Sequence, residues 1–534
     1  MISHIKKAIF AALYISCFGL QLMSQTEIKP LPVSFGRVEK EQQIPRVSMP
    51  YADIQALKIQ DELADAEKLP YRFGYNHQVS YSPTNSGQWI TSVNGERVWR
   101  LRIHSSGAQT INLGFRSFYL QPGSRLFVYN IDHSIVLGPY TKEQNFFDGE
   151  MATDLIAADE VVVELDELSS GTPSSFSICR VTHGYRTLEY ARSFGQAGGC
   201  IPNVNCPEGD SWSNQRRSVI CLVTGGNAFC SACLINNTTD DGTPYILTAN
   251  HCGTPSGSWV FRFNWESPSC TNPPASPSTT QSISGAVPVS HNANSDFALC
   301  KMSSIPPASF QVFYAGWNRS SLPADSVCTI HHPSGDIKKI SLSKNPVTAS
   351  TWAGAMVWQT GTWTEGCTES GSSGAPLFDQ QRRVVGQLYS GPSACGVAVN
   401  QDYDFFGRFD ISWNSDTSSQ GRLSDWLDPA HSGALTNDGY DPNGLGIVEM
   451  SPTFFKLFPN PSSGKIMLLF QDAVQRGTVM KLYDLLGQEA LPAVYLPVGN
   501  NTCEYDLSAL KRGVYLLRIQ GSGHVGSCKL ILTE

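Results

Sequence analysis

The stretch Thr368-Glu-Ser-Gly-Ser-Ser-Gly-Ala-Pro376 decides how this chain is read. Its centre, Gly371-Ser372-Ser373-Gly374-Ala375-Pro376, sets a serine in a turn whose glycines let a ligand approach the backbone. Such a turn can offer one carbonyl both a hydroxyl nucleophile and backbone N–H donors. A flexible surface turn has the same composition, so the motif gains meaning only from its companions. One is Tyr245-Ile-Leu-Thr-Ala-Asn-His251-Cys252, an apolar strand-like run that ends on a histidine. The other is Asn294-Ser-Asp296-Phe-Ala-Leu-Cys300, where an aspartate stands at the mouth of a short apolar run. The order His, Asp, Ser is one of the orders in which a nucleophilic triad occurs.

Working outward, 534 residues imply two to four domains. With 41% hydrophobic and 16% charged residues, 46 Gly and 32 Pro, a globular, turn-rich, mainly β chain is expected. A net charge of -8 argues against nucleic acid as a partner. Lys6 and Lys7 precede an apolar run over residues 8–22, and Ser24 follows, so residues 1–24 read as a secretory signal. No later stretch is long enough for a transmembrane span. Eleven of the 15 cysteines lie between Cys200 and Cys395. In an exported chain this is a disulfide framework of undetermined connectivity. Cys230-Ser-Ala-Cys233 with His251-Cys252 has donor types suited to zinc, but an oxidising compartment favours disulfides.

Residues 25–88 read as a leader with one amphipathic helix over 53–67, its Ile54, Leu57 and Leu63 on one face. From 89 to 181 short alternating runs such as Trp99-Arg-Leu-Arg-Ile103 predict a β-sandwich. The Gly-rich segment after Arg192 is a boundary a protease could reach, and a cut at Arg192-Ser193 would make everything before it a propeptide. Strand-like runs recur from 200 to 426, with a short helix at Leu423-Ser-Asp-Trp426. A polar link over 436–443 leads to a tail from Ser451, a small β-sandwich with Cys503 and Cys528 as its only possible internal disulfide.

Residues from about 195 to 441 resemble the lysyl endopeptidases, secreted bacterial serine proteases with the chymotrypsin double β-barrel. The resemblance runs through Cys200-Ile-Pro-Asn-Val-Asn-Cys206-Pro-Glu-Gly-Asp210, Thr248-Ala-Asn-His-Cys252, Tyr314-Ala-Gly-Trp317, His331-His-Pro333, Gly371 to Pro376, Gly386-Gln-Leu388 and Arg422-Leu-Ser-Asp-Trp-Leu-Asp-Pro429. It implies a mainly β architecture in which a β-sandwich propeptide (25–194) precedes the protease domain (195–441). It implies catalytic His251, Asp296 and Ser373, and an oxyanion hole from the backbone N–H groups of Gly371 and Ser373. Trypsin's pocket aspartate position, six residues before the serine, is here Cys367. The family takes its pocket charge from an Asp-aromatic-aromatic-Gly-Arg pattern matched by Asp404-Phe-Phe-Gly-Arg408, which implies cleavage after Lys. Tyr389 stands where a member of the family has a histidine near the substrate site, and Trp352 matches the tryptophan that stacks with that histidine, which implies that both lie at the substrate site. Three disulfides are implied: Cys200 with Cys395, Cys206 with Cys270, and Cys230 with Cys252. Ser372 replaces the aspartate that captures the new N-terminus in chymotrypsin zymogens, so latency would rest on a propeptide covering the site.

After a linker (442–450), residues 451–534 resemble the type IX secretion sorting domain, with its hallmark opening Leu457-Phe-Pro-Asn-Pro461. That implies export through the periplasm and outer membrane, the type IX machinery and protein or peptide substrates as partners, and no cofactor or metal. The competing readings are a non-catalytic surface adhesion protein on a protease fold, a serine protease of Arg or mixed specificity, and a zinc hydrolase, for which no His-Glu-x-x-His exists.

Overall fold

The computed structural model describes residues 30–37, 44–66, 71–167, 173–186, 197–274, 277, 281–443, 455–470, 473–475, 477–484, 488–521 and 524–533. The expected signal (1–24), the Arg192-Ser193 bond and most of the expected linker lie outside them. The chain divides into two compact units, Met1–Tyr440 and Asp441–Glu534. Among the described residues no helix is long and apolar enough to cross a membrane.

The first unit begins with a β-sandwich. One sheet runs in the order Arg46–Ser48, Arg97–His104, Glu160–Glu167, Arg125–Asn130, Val136–Tyr140, with Gln88–Thr91 also paired to Arg97–His104. The other runs Gly74–Tyr81, Ser175–Gly184, Thr110–Tyr119, Met151–Ala152. Alternation along each strand brings Trp99, Leu101 and Ile103 into one core with Leu113, Phe115, Val161, Val163 and Phe176. The sandwich starts earlier than residue 89, because Arg46–Ser48 and Gly74–Tyr81 are strands of its sheets. The helix Ile54–Ala66 forms, with Ile54 and Leu57 half-buried but Leu63, expected on the same face, 66% exposed; among its described side chains the buried one is Asp61. Asp61 accepts from Arg72 Nε at 2.7 Å and Tyr185 OH at 2.8 Å, so this helix docks through a carboxylate.

A second all-β region follows, built from two curled sheets. The first has the order Ser282–Ser284, Val260–Arg262, Val219–Thr224, Asn227–Ile235, Tyr245–Ala249, Phe297–Met302, Ala286–Asn292. Its two edge strands, Ser282–Ser284 and Ala286–Asn292, are separated in the chain by Gly285 alone, so the sheet rolls round on itself. The second has the order Lys339–Ser343, Val327–His331, Pro376–Asp379, Val384–Ser390, Phe405–Arg408, Ala355–Gln359, Thr348–Trp352. Its edges are likewise chain neighbours, joined by residues 344–347. Each barrel has its own core, around Leu222, Leu234 and Phe261 in one and Trp358, Leu377 and Phe406 in the other. Between them lies a third, with Leu247, Leu299, Trp317, Ile330 and Phe378. This is the expected double barrel. Thr436–Asn437 pairs with Trp317–Asn318, so the polar link begins only after Tyr440.

The sandwich and the first barrel share an interior. Tyr71–Arg72 adds to the barrel strand at Asn227 and Ala228, and Phe73 N donates to Gly226 O at 2.7 Å. Phe73, Ala152 and Leu155 are buried in one cluster with Cys221, Val223, Val260, Trp265 and Ile337. At its side Arg262 makes a two-pronged ion pair with Asp154, both side chains 0% exposed. Phe146 packs over Gly285, where a Cβ would meet its ring at 2.1 Å.

In the second unit, sheets Phe455–Phe458, Lys465–Phe470, Thr502–Asp506 and Glu489–Tyr495, Val479–Tyr483, Gly513–Gly521, His524–Leu532 enclose Phe455, Ile466, Leu468, Leu482, Leu517 and Leu530. The expected small sandwich is present. No disulfide joins Cys503 to Cys528.

Candidate active site

The strands Tyr245–Ala249 and Phe297–Met302 pair antiparallel with Ala249 opposite Phe297, so the residues just beyond them, His251 and Asp296, meet. Asn250 N donates to Asp296 O at 2.8 Å and His251 N to Asp296 Oδ1 at 2.9 Å. His251 Nδ1 lies 2.7 Å from Asp296 Oδ2. A carboxylate is an acceptor only, so Nδ1 carries the proton and Nε2 is left basic. Asp296 is buried and has φ 54°, a left-handed backbone that Asp tolerates better than most residues and that turns its carboxylate back onto the histidine. The His251 side chain remains 35% exposed.

Ser373 comes from the second barrel but its loop is tied to the first. Its carbonyl accepts from Ser231 N at 2.8 Å and lies 3.8 Å from Cys252 Sγ, beside the histidine turn. Gly374 makes this approach possible: at φ 81°, a Cβ there would sit 2.1 Å from Thr248 Oγ1. The loop is also oriented. Ser334 N draws the Ser370 carbonyl to it at 2.6 Å, and Ser231 Oγ donates to Gly371 O at 3.0 Å. Among the described residues the N–H groups of Gly371 and Ser373 have no acceptor, and no hydrogen bond joins Ser373 Oγ to His251. Ser231, which the sequence reading missed, thus fixes a carbonyl that would otherwise be free to turn inward. Ser372 Oγ lies 2.7 Å from His331 Nδ1, and burial lowers the His331 pKa to about 3, so this contact is between neutral groups.

Asp404 is 0% exposed and stands directly before the strand Phe405–Arg408. Its backbone N donates to Thr360 Oγ1 and its carbonyl accepts from Thr360 N, both at 2.9 Å. Oδ2 accepts from Trp363 Nε1 at 2.8 Å and from Ser393 Oγ at 2.6 Å. Ser393 Oγ in turn accepts from Thr368 N at 3.0 Å, which links the carboxylate to the Ser373 loop. Oδ1 is buried without a hydrogen bond and lies against Gly391, where a Cβ would be 1.9 Å away. Burial raises the Asp404 pKa to about 6, opposed by its hydrogen bonds to Ser393, Trp363 and Thr368. Its neighbours differ: Asp410 is held by Arg408 at 2.6 Å, and Asp402 is only partly buried. No role was read for Trp363 or Ser393 from sequence, although Ser393 closes a run, Gly391-Pro-Ser393, that belongs to the resemblance; for Trp363 a lone Trp in a polar loop was the available signal.

Tyr389 lies beside His251, ring centroids 5.4 Å apart. Trp352 is a correction: it stacks on Phe405 at 4.6 Å and 17°, not on Tyr389, because its hairpin Thr348–Trp352 and Ala355–Gln359 lies along the strand that carries Phe405. The three expected disulfides are formed, Cys200–Cys395, Cys206–Cys270 and Cys230–Cys252, the last clamping the histidine turn. It consumes two of the four donors of the zinc reading, and His251 Nδ1 is committed to Asp296, so that donor set does not exist. Cys367 stays outside the disulfides, its Sγ 3.7 Å from that of Cys200. Among the described residues no contact of the sandwich reaches His251; they go to the back of the first barrel, to Gly225–Ala228, Gly257, Arg262 and Gly285 and to the cluster with Cys221, Val223, Val260, Trp265 and Ile337.

Residues 194–407 match the family model described as lysyl endopeptidase, C-terminal domain, and residues 456–533 match the secretion system C-terminal sorting domain. The lysyl endopeptidase of Pseudomonas aeruginosa is 25% identical over 362 residues, 60% of this chain and 75% of that protein. Two solved structures overlap loosely. Rv3671c of M. tuberculosis H37Rv, an inactive-form mutant, has TM-score 0.25 and 14% identity over 37% of this chain and 84% of its own. The MamO protease domain of Magnetospirillum magneticum has TM-score 0.27 and 12% identity over 39% of this chain and 100% of its own. The chain is thus similar to the lysyl endopeptidases over residues 194–407 and closes with a type IX secretion sorting domain, which directs it to the outer membrane or the extracellular space.

Proposed function

We propose that residues 195–441 are a secreted serine endopeptidase that cleaves on the carboxyl side of basic residues, preferably Lys. The observation that carries this is the His251 Nδ1 to Asp296 Oδ2 contact of 2.7 Å, which leaves Nε2 as a base beside a serine loop with two unused N–H donors. Ser373 Oγ attacks the scissile carbonyl carbon and its proton passes to His251 Nε2, a contact that tightens in the substrate complex. Asp296 stabilises the imidazolium that forms. The N–H groups of Gly371 and Ser373 receive the oxyanion, each such donor contributing on the order of 10²–10³ in rate. Collapse expels the amine, which takes the proton from His251, and water then releases the acyl group by the same route in reverse. Asp404 binds the substrate ammonium; a neutral side chain there would leave a buried charge unmatched. Residues 25–194 are proposed as a propeptide.

Labelling with a fluorophosphonate probe and digestion of a mixed peptide library test the reading, with Ser373→Ala as control. Label on Ser373 and cuts after Lys, reduced by about 10⁶ in the variant, are expected. Cuts after apolar residues would remove Asp404 from the pocket, and a folded, processed protein that neither labels nor cuts would be an adhesion protein.

A further inference from the structure

The order of the Ser373 loop reaches back to the first described residues of the region proposed as the protease. Ala197 is buried in one cluster with Ile201, Cys367, Ala375 and Leu377, so this segment packs against the base of that loop. Two carboxylates take its backbone N–H groups: Ala197 N donates to Asp336 Oδ2 at 3.1 Å and Gly198 N to Glu369 Oε1 at 2.9 Å. Asp336 is wholly buried, with Ile337 N at 2.7 Å from Oδ1 and Lys339 Nζ at 3.6 Å from Oδ2. Glu369 belongs to the loop itself, four residues before Ser373, and its carbonyl accepts from Ser372 N at 3.0 Å. Its second carboxylate oxygen, Oε2, accepts from Ser334 Oγ at 3.2 Å. Ser334 has φ 53°, a left-handed backbone that a serine rarely holds without support. From that position its N–H takes the Ser370 carbonyl at 2.6 Å. A peptide unit is planar and trans, so a carbonyl turned one way turns the following N–H the other. The N–H aimed in this manner is that of Gly371, one of the two proposed oxyanion donors.

We propose that Glu369 is a positioning residue for the oxyanion hole: held by Gly198, it fixes Ser334, and Ser334 fixes the peptide that presents the Gly371 N–H. The inference rests on the proposed function, in which that N–H receives the oxyanion. The aspartate of chymotrypsin zymogens works by charge, capturing a new α-ammonium; here Ser372 has that place and its hydroxyl meets His331. Glu369 works instead through a peptide N–H and a hydroxyl, both neutral. An amide side chain can accept from the first and donate to the second, so the role survives loss of the charge and fails with loss of the polar end. Gly198 completes the arrangement. A Cβ there would stand 2.8 Å from Glu369 Oε1 and 2.3 Å from Cys395 Sγ, so glycine is what lets this N–H come so close.

The test compares Glu369→Ala with Glu369→Gln in the processed protein, with rates counted per Ser373 titrated by fluorophosphonate. Glu369→Ala is expected to lower kcat on a cleaved peptide about 30-fold and to leave KM within about threefold, because the donor is displaced only where charge develops. Glu369→Gln recovers most of the loss. A peptide aldehyde of the same sequence, captured by Ser373 with its oxygen in the hole, loses affinity for Glu369→Ala in proportion to kcat. The matching peptide alcohol forms no such adduct and binds as before, whereas a general loosening of the fold would weaken both. Ser334→Ala lowers kcat about threefold, and combined with Glu369→Ala it slows the enzyme no further, as members of one chain should. Should Glu369→Ala fold poorly, Ser334→Ala decides by the same pair of inhibitors, weakening the aldehyde and sparing the alcohol. An unchanged kcat in Glu369→Ala, a parallel loss of aldehyde and alcohol binding, or a Glu369→Gln as slow as Glu369→Ala overturns the inference and leaves the protease reading intact. A folded, processed wild type whose Ser373 neither labels nor cuts overturns the protease reading and this inference together.

Discussion

Asp154 and Asp404 are both wholly buried in the first unit, yet one is finished and the other is not. At the seam between sandwich and barrel, Asp154 has both oxygens engaged by Arg262, and Oδ1 also takes Leu155 N at 2.7 Å. No charged group is among the causes that shift Asp404, and its Oδ1 is left open. A buried charge that is fully matched contributes to the structure; one held half-matched by fixed donors costs the empty protein stability, which fits the ligand-binding role proposed for Asp404.

The largest effect should separate the two by function. Asp404→Asn is expected to lower kcat/KM on Lys peptides by about 10⁴, since the buried ammonium then lacks its partner. Asp154→Asn should leave the Lys-over-Arg ratio unchanged; a shift there would break the comparison.

Next comes stability, measured by denaturant on a Ser373→Ala background so that self-digestion does not intrude. Asp154→Ala is expected to cost about 3–5 kcal/mol, because Arg262 is left buried without its carboxylate. Replacing the pair together, Asp154→Leu with Arg262→Met, should recover most of that.

Asp404→Asn should do the opposite. The folded pKa of about 6 lies above the unperturbed 3.8, so the carboxyl's contribution to stability is full below 3.8 and is lost as pH rises through about 6. Removing the charge at neutral pH is therefore expected to stabilise the protein by up to about 3 kcal/mol and to flatten stability across that window. A loss of stability instead would place Asp404 with Asp154 as a structural charge.

The smallest effect is on binding. As pH falls through about 6 the Asp404 carboxyl gains a proton and can no longer pair with an ammonium. KM for a Lys peptide should rise about tenfold between pH 7 and pH 5, while KM for a poor substrate with norleucine at the same position stays level.

The shared interior of sandwich and barrel also bears on the propeptide role proposed for residues 25–194. A covering role was expected, yet His251 is 35% exposed with the sandwich docked among the described residues. Phe73, Leu155 and the Asp154–Arg262 pair instead complete the back of the first barrel.

His251, Asp296 and Ser373 were legible in the chain because each sits in a short motif at a strand end, where local sequence and position in the fold coincide. The double barrel, the two flanking sandwiches and the three disulfides were also within reach, the last through resemblance. Other features depended on which loops meet. Trp363 and Ser393 are 30 positions apart and converge on Asp404 only after the second sheet has curled. Ser231 reaches the Gly371 carbonyl across 140 residues. Alternating Trp99, Leu101 and Ile103 announced a sandwich, but no pattern within it said that Asp154 would be sealed against Arg262 of the first barrel. The sequence by itself determined most of the strands, the motifs that meet at the candidate site and the export route, because periodicity and motif are local. Only the tertiary structure decided which buried charge is matched and which is left open, because hydrogen-bond satisfaction depends on every neighbour that folding brings within 3 Å or so of each oxygen.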